Sequence, residues 1–212
     1  LNQARDKAKA IACANNLKQI GTAQAMYSTD FQDWLIPCCS RWQYNYMAFE
    51  VLSGVKISGG KLDGAINYGV SYFGRDYTKG TFACPGEPIA FGLNSAGKFE
   101  FTHYCFNAWL LGYQNASGWA YTPHKLSAVS KPTKAIFAAD NERTSEANLD
   151  YLTRIAFRHG GTNILNDSSS YGTGRGNVVY VDGHVDDKKA DELIFEVGYS
   201  SSTMALKNGF SL

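Results

Sequence analysis

The stretch that decides the fold is residues 1–28, LNQARDKAKAIACANNLKQIGTAQAMYS. Apolar or small residues recur at Leu1, Ala4, Ala8, Ile11 and Ala12, then at Leu17, Ile20, Ala23 and Tyr27. Steps of three and four trace one stripe along a helix. Arg5, Lys7, Lys9, Asn15, Asn16 and Lys18 lie mostly off that stripe. At 1.5 Å per residue such a helix reaches roughly 42 Å, longer than a small domain is wide, so it is expected to protrude. No first-turn Pro and no capping box opens it, which reads as a helix entered partway along its length.

Beyond the helix the chain offers material for one globular head, residues 29–212. Ser28, Asp30 and Asp33 end the periodicity, and Pro37 bars helix from the residue before it. Trp42 to Leu52 reads as a second helix closed by Gly54. Residues 54–82 are glycine-rich and read as loops with one or two short strands. Ala135 to Ala139, between Pro132 and Asp140, reads as a central strand with Asp140, Asn141 and Glu142 at its exit. Ile155–Phe157 and Val178–Val181 are strand-like, and Asp182-Gly183 asks for a tight hairpin turn. Asp186 and Asp187 then cap a helix running to about Val197.

Composition excludes several classes. Lys+Arg number 20 against 19 Asp+Glu, with no basic run, so no field favours a nucleic-acid partner. No apolar stretch approaches the roughly 20 residues that span a bilayer. No phosphate-cradling G-x-x-x-x-G-K-[ST] frame surrounds Gly59-Gly60, and neither G-x-S-x-G nor H-E-x-x-H occurs, so the chain reads as a non-enzyme. Charged residues are 18% and aromatics 14%, a low-charge, Tyr-rich balance suited to an exported protein.

Five cysteines, Cys13, Cys38, Cys39, Cys84 and Cys105, cannot all pair. Cys38, Cys39, Cys84 and Cys105 are the disulfide candidates: Cys38 or Cys39 can reach Cys13, Cys84 or Cys105, and Cys84 can close a loop with Cys105. His159, Asp182 and His184 form the one constellation suited to a divalent cation, if the hairpin brings the two imidazoles to one carboxylate. No other cofactor is indicated.

Several segments together carry a resemblance. Residues 1–9 and Cys13-Ala14-Asn15-Asn16-Leu17-Lys18-Gln19-Ile20-Gly21 resemble the region just after the apolar segment of prepilin-like proteins with the "H-x9-DG" carboxy-terminal motif. Phe82-Ala83-Cys84-Pro85 is similar to that family's F-x-C-P segment, and His103-Tyr104-Cys105-Phe106-Asn107 to its S-Y-x-x-N segment, with His103 in place of Ser. Phe157-Arg158-His159-Gly160-Gly161-Thr162-Asn163 resembles its R-H-x-G-x-x-N opening, and Asn177 to Val185 its N-x-x-x-x-D-G-H-V close. The chain departs from the pattern in spacing, since 22 residues rather than nine separate His159 from Asp182, and the polar segment Asn166–Gly176 supplies the excess.

The resemblance implies an α+β, pilin-like fold: a long N-terminal spine helix packed on an antiparallel β-sheet, with loop-rich insertions in the head. It implies a processed and N-methylated leader, an inner-membrane anchor upstream of Leu1, and a head in the periplasm or at the cell surface. The expected role is a structural pseudopilin-like subunit of a type II secretion or type IV pilus-like assembly. Its partners would be other pilin-like subunits, secretion-system proteins and secreted cargo. Two rival readings follow from the residues: a cell-surface glycan- or ligand-binding domain using Trp42, Trp109 and Trp119 as stacking platforms, and a metal-dependent hydrolase built on His159, Asp182 and His184.

Overall fold

The computed structural model describes residues 2–38, 46–115, 118–162, 164 and 171–196. Helix α1 runs from Asn2 to Asp30. Its second half is buried along Cys13, Leu17, Ile20, Ala23 and Tyr27, with the polar Gln24 and Ser28 enclosed beside them. From Gln3 to Ala12 no side chain is buried, and Ile11 is 62% exposed. The apolar stripe therefore divides into a seated half and an overhanging half of about 15 Å. Where the helix ends, Gln24 accepts from the Ile36 amide at 3.1 Å and Ser28 donates to the Trp34 carbonyl at 3.0 Å. These bonds turn the chain back, and Leu35 and Ile36 enter the core.

Helix α2, Ala48–Ser53, is shorter than the Trp42–Leu52 expectation, whose residues 42–45 lie outside the described set. Glu50 reaches back to the Met47 amide at 2.8 Å, and Gly54, at φ +70°, closes the helix in the left-handed region that glycine enters at no steric cost. Between Gly54 and Phe82 no strand forms; the segment holds only the isolated pairing of Val55 with Lys61. Its aromatics still serve the core, where Tyr72, Phe82 and Phe49 meet edge to face.

The sheet assembles from distant segments. Strand β1 is Tyr104–Asn107, followed by the short helix α3, Ala108–Leu111. Strands β2, Tyr113–Asn115, and β3, Gly118–Tyr121, pair as a separate hairpin. Strand β4 is Ile136–Asp140, β5 is Asn148–Leu149, β6 is Gly176–Tyr180 and β7 is Val185–Lys188; helix α4, Ala190–Glu196, ends the described chain. The main sheet has the order β5-β1-β4-β6-β7. β4 is central as expected, and it is buried on both faces, which explains the small and apolar run that precedes Asp140. Four strands are antiparallel, but β5 runs parallel to β1, so the sheet is mixed rather than antiparallel throughout. Helix α1 lies across β6, β7 and β4, completing an α+β head.

Two local expectations are corrected. Ile155–Phe157 forms no strand; Ile155 makes a single bridge to Asn141, because β6 takes its second neighbour from β7 instead. Asp186 and Asp187 do not cap a helix. They lie in the edge strand β7 opposite Val178 and Asn177, while Asp191 and Glu192 occupy the first turn of α4. Charged side chains are tolerated on β7 because one side of an edge strand faces water. The chain does reverse at Asp182-Gly183, but through a three-residue loop, Val181 to Gly183, rather than the two-residue turn expected: the Gly183 amide donates to the Tyr180 carbonyl at 2.8 Å, the Tyr180 amide donates to the His184 carbonyl at 3.0 Å, and Gly183 alone takes a positive φ.

Candidate functional site

The densest chemistry lies where α1 meets the turn Cys84-Pro85-Gly86-Glu87. Pro85 sets the second position of this turn, and the Glu87 amide donates to the Cys84 carbonyl at 3.0 Å. Cys13, the first buried residue of α1, is disulfide-bonded to Cys84 with their Cα atoms 5.1 Å apart. Asn16, one turn further along, donates to the Ala83 carbonyl at 3.0 Å and to the Tyr104 hydroxyl at 3.2 Å. Helix and turn are thus joined by a covalent bond with hydrogen bonds beside it.

Two histidines flank Cys84. The His103 ring accepts the Cys84 amide proton at Nδ1, 3.0 Å away, and its Nε2 donates to the Ile89 carbonyl at 2.9 Å. Those partners fix the tautomer. Burial, reinforced by the Arg158 guanidinium, pushes this imidazole down to about 3, so it is neutral. His159 stands on the other side, its Nε2 3.0 Å from Asp140 Oδ2. The same Asp140 oxygen accepts the backbone amide of Asn177 at 2.8 Å and its side-chain amide at 3.0 Å. Asp140 is fully buried, and its Oδ1 has no hydrogen-bond partner among the described residues. Beneath this row Arg158 pairs with Glu87 at 3.0 Å, both side chains almost fully enclosed, and also donates to the Asn141 carbonyl. Asp140 at the exit of β4 is therefore the anchor of the cluster.

The sequence-derived triad is split. His159 bridges to Arg175 before β6 begins, whereas Asp182 and His184 sit in the turn after β6 ends. The five residues of β6 separate the two places by roughly 17 Å. The hairpin that would bring the two imidazoles to one carboxylate does not form across the 22-residue interval; β6 carries the two motif halves to its opposite ends. Asp182 caps its own turn, accepting from the His184 amide at 3.1 Å and standing 2.5 Å from its ring nitrogen, while His184 stacks on Tyr180.

The disulfide expectation is corrected in its partner. Cys84 is bonded, but to Cys13 rather than to Cys38, Cys39 or Cys105. Cys105 is a buried free thiol held well above its ordinary range by burial, and Cys38 donates to the Phe106 carbonyl at 3.3 Å. Cys39 lies outside the described residues. One available signal was the spacing, since Cys13 stands four residues before Leu17 on the buried face. The only group of three metal-ligating side chains close enough to share an ion, among the described residues, is Cys13, Cys84 and His159.

The aromatic platforms are partly engaged. Trp109 is half-buried, stacks on Tyr121 at 3.9 Å and donates to the Asp150 carbonyl at 3.0 Å. Trp42 and the side chain of Trp119 lie outside the described residues. Trp34 is 43% exposed, with the Lys125 ammonium 5.4 Å from its ring. No helix among the described residues is long and apolar enough to cross a membrane. The chain matches no protein-family model, no curated protein and no solved structure.

Proposed function

We propose that this chain is a membrane-tethered, pseudopilin-like structural subunit of a type II secretion or type IV pilus-like assembly. The observation that carries the reading is the divided helix. From Cys13 onward α1 is locked into the head, whereas Gln3 to Ala12 leave it with no buried side chain and with Ile11 open to solvent. An exposed helical segment carrying an apolar stripe gains stability by packing against neighbours, at about 0.8 kcal/mol per buried methylene. In a spine those neighbours are the equivalent helices of other subunits. The head then serves as a rigid projection, exported and held outside the cytoplasm, where a disulfide persists.

Intact-mass and N-terminal analysis of the mature protein from its native membrane tests this. The expected product begins at a methylated residue some two dozen positions upstream of Leu1. Cleavage near Leu1 by an ordinary signal peptidase, or a lipid anchor, overturns the proposal. A second arm introduces Ile11→Asp: subunit cross-linking through the helix is expected to fall while the head keeps its thermal midpoint.

A further inference from the structure

We propose that in the dithiol form of the protein Cys13, Cys84 and His159 bind a thiophilic divalent cation of the Zn2+ class, so that metal replaces disulfide as the link between α1 and the head. One ligand atom from each residue lies within 4.8 Å of the others, and all three residues are buried. Nε2 of His159 is committed to Asp140, which leaves Nδ1 as the ligand nitrogen. A methyl group built on Gly86 would lie 2.7 Å from His159 Cε1, 3.1 Å from Nδ1 and 3.4 Å from Cys84 Sγ, so imidazole edge and sulfur border one small gap that glycine leaves open.

The surroundings match a ligating histidine. A carboxylate on the distal nitrogen fixes the orientation of the ring, and Asp140 is itself held by both amides of Asn177. His103 is not available as a fourth ligand, because both its nitrogens are taken by backbone groups. Two thiolates and one neutral imidazole are Zn2+ ligands at about 2.3 Å and 2.0 Å, with one coordination position left open. Zinc-bound sulfurs stand roughly 3.8 Å apart at that bond length, a separation that side-chain rotation supplies from Cα atoms 5.1 Å apart. The dication and two thiolates sum to zero charge, which suits a buried site.

The reaction balances with a trialkylphosphine and water. The phosphine gives two electrons to the disulfide and takes the water oxygen, and the two water protons convert the sulfurs to thiols. The cation then displaces both thiol protons to solvent.

The test uses the full chain carrying Cys38→Ala and Cys39→Ala, reduced with phosphine under anaerobic conditions and titrated with Co2+ as a coloured stand-in. The expected result is thiolate-to-cobalt charge transfer with tetrahedral ligand-field bands, saturating at one equivalent and displaced by Zn2+. The disulfide form should give no such bands. Cys84→Ser should abolish the charge transfer of the reduced form, His159→Ala should weaken binding at least tenfold, and Asp140→Asn should weaken it about 10- to 100-fold. Absence of thiolate bands in the reduced protein, or bands that survive Cys84→Ser and His159→Ala unchanged, overturns the proposal. Where reduction unfolds the chain, circular dichroism decides: Zn2+ is expected to restore the fold, and failure to do so overturns the proposal equally. None of these readouts depends on filament membership.

Discussion

At the scale of the single residue, His103 is the most informative side chain in the head. Its environment holds the imidazole neutral, down to about 3, whereas in the unfolded chain it protonates near 6.5. A base depressed in the folded state leaves stability unchanged above about pH 6.5, where neither state is protonated. Stability is then lost as pH falls, because the unfolded chain takes up a proton that the folded one refuses, and the loss levels off below the folded value. The slope attributable to this group reaches about 1.4 kcal/mol per pH unit. Denaturant unfolding at a series of pH values should therefore show a shallower fall between pH 6 and 4 in His103→Gln than in the parent, whatever the variant's stability at pH 7. Equal slopes would mean that the ring is solvated. The structure gives the ring two hydrogen bonds and full burial, with Phe91 and Phe99 packed edge-to-face against it. Nothing local in the sequence reveals that enclosure, because both aromatic rings come from a separate loop.

At the scale of the element, the contact of α1 with the sheet makes sharper demands than its hydrophobic stripe suggests. A Cβ on Gly21 would lie 2.9 Å from the Cγ2 atom of the buried Val179 in β6. Gly21→Ala gains about 1 kcal/mol in helix propensity and incurs about 1–3 kcal/mol of overpacking, so a net loss of up to about 2 kcal/mol is expected in chemical denaturation. A gain in stability would mean that helix and strand do not approach so closely. The two halves of the helix are likewise separable by mutation. Leu17→Ala, at a fully buried site, should cost about 2–5 kcal/mol, and Ile11→Ala no more than about 0.5 kcal/mol in the isolated head. The helix, the central strand β4 and the site of the chain reversal at Asp182-Gly183 were legible because each is specified by residues within its own span, though the length of that loop was not. The parallel edge strand β5 and the placement of Asp186 and Asp187 in β7 were not, since pairing partners far along the chain decide both. The division of the apolar stripe was also hidden, because periodicity reports a face and not whether anything covers it.

At the scale of the whole molecule, the Cys13–Cys84 bond spans 71 residues of sequence and ties the first buried turn of α1 to the turn that follows Phe82. Closing a loop of that size in the unfolded chain is worth about 4 kcal/mol on the chain-entropy account. Cys13→Ser should lower unfolding free energy by about that amount without metal, and a far smaller loss would show residual structure in the unfolded chain. Of the candidate site, the sequence offers His159 as a metal ligand, Cys84 as a disulfide partner and Asp140 as a strand exit, in three different places. Only the fold shows that they converge, because β4, the segment before β6 and the turn after Phe82 meet at one end of the sheet.

The position of that bond matters under load. A pull on the exposed end of α1 travels down the helix and reaches Cys13 before it reaches Leu17 or Ile20, so the sulfur bridge takes the tension before the packed core. The exposed segment of α1 and the head then move together, and the helix cannot be peeled off the core one turn at a time by a pull on that segment.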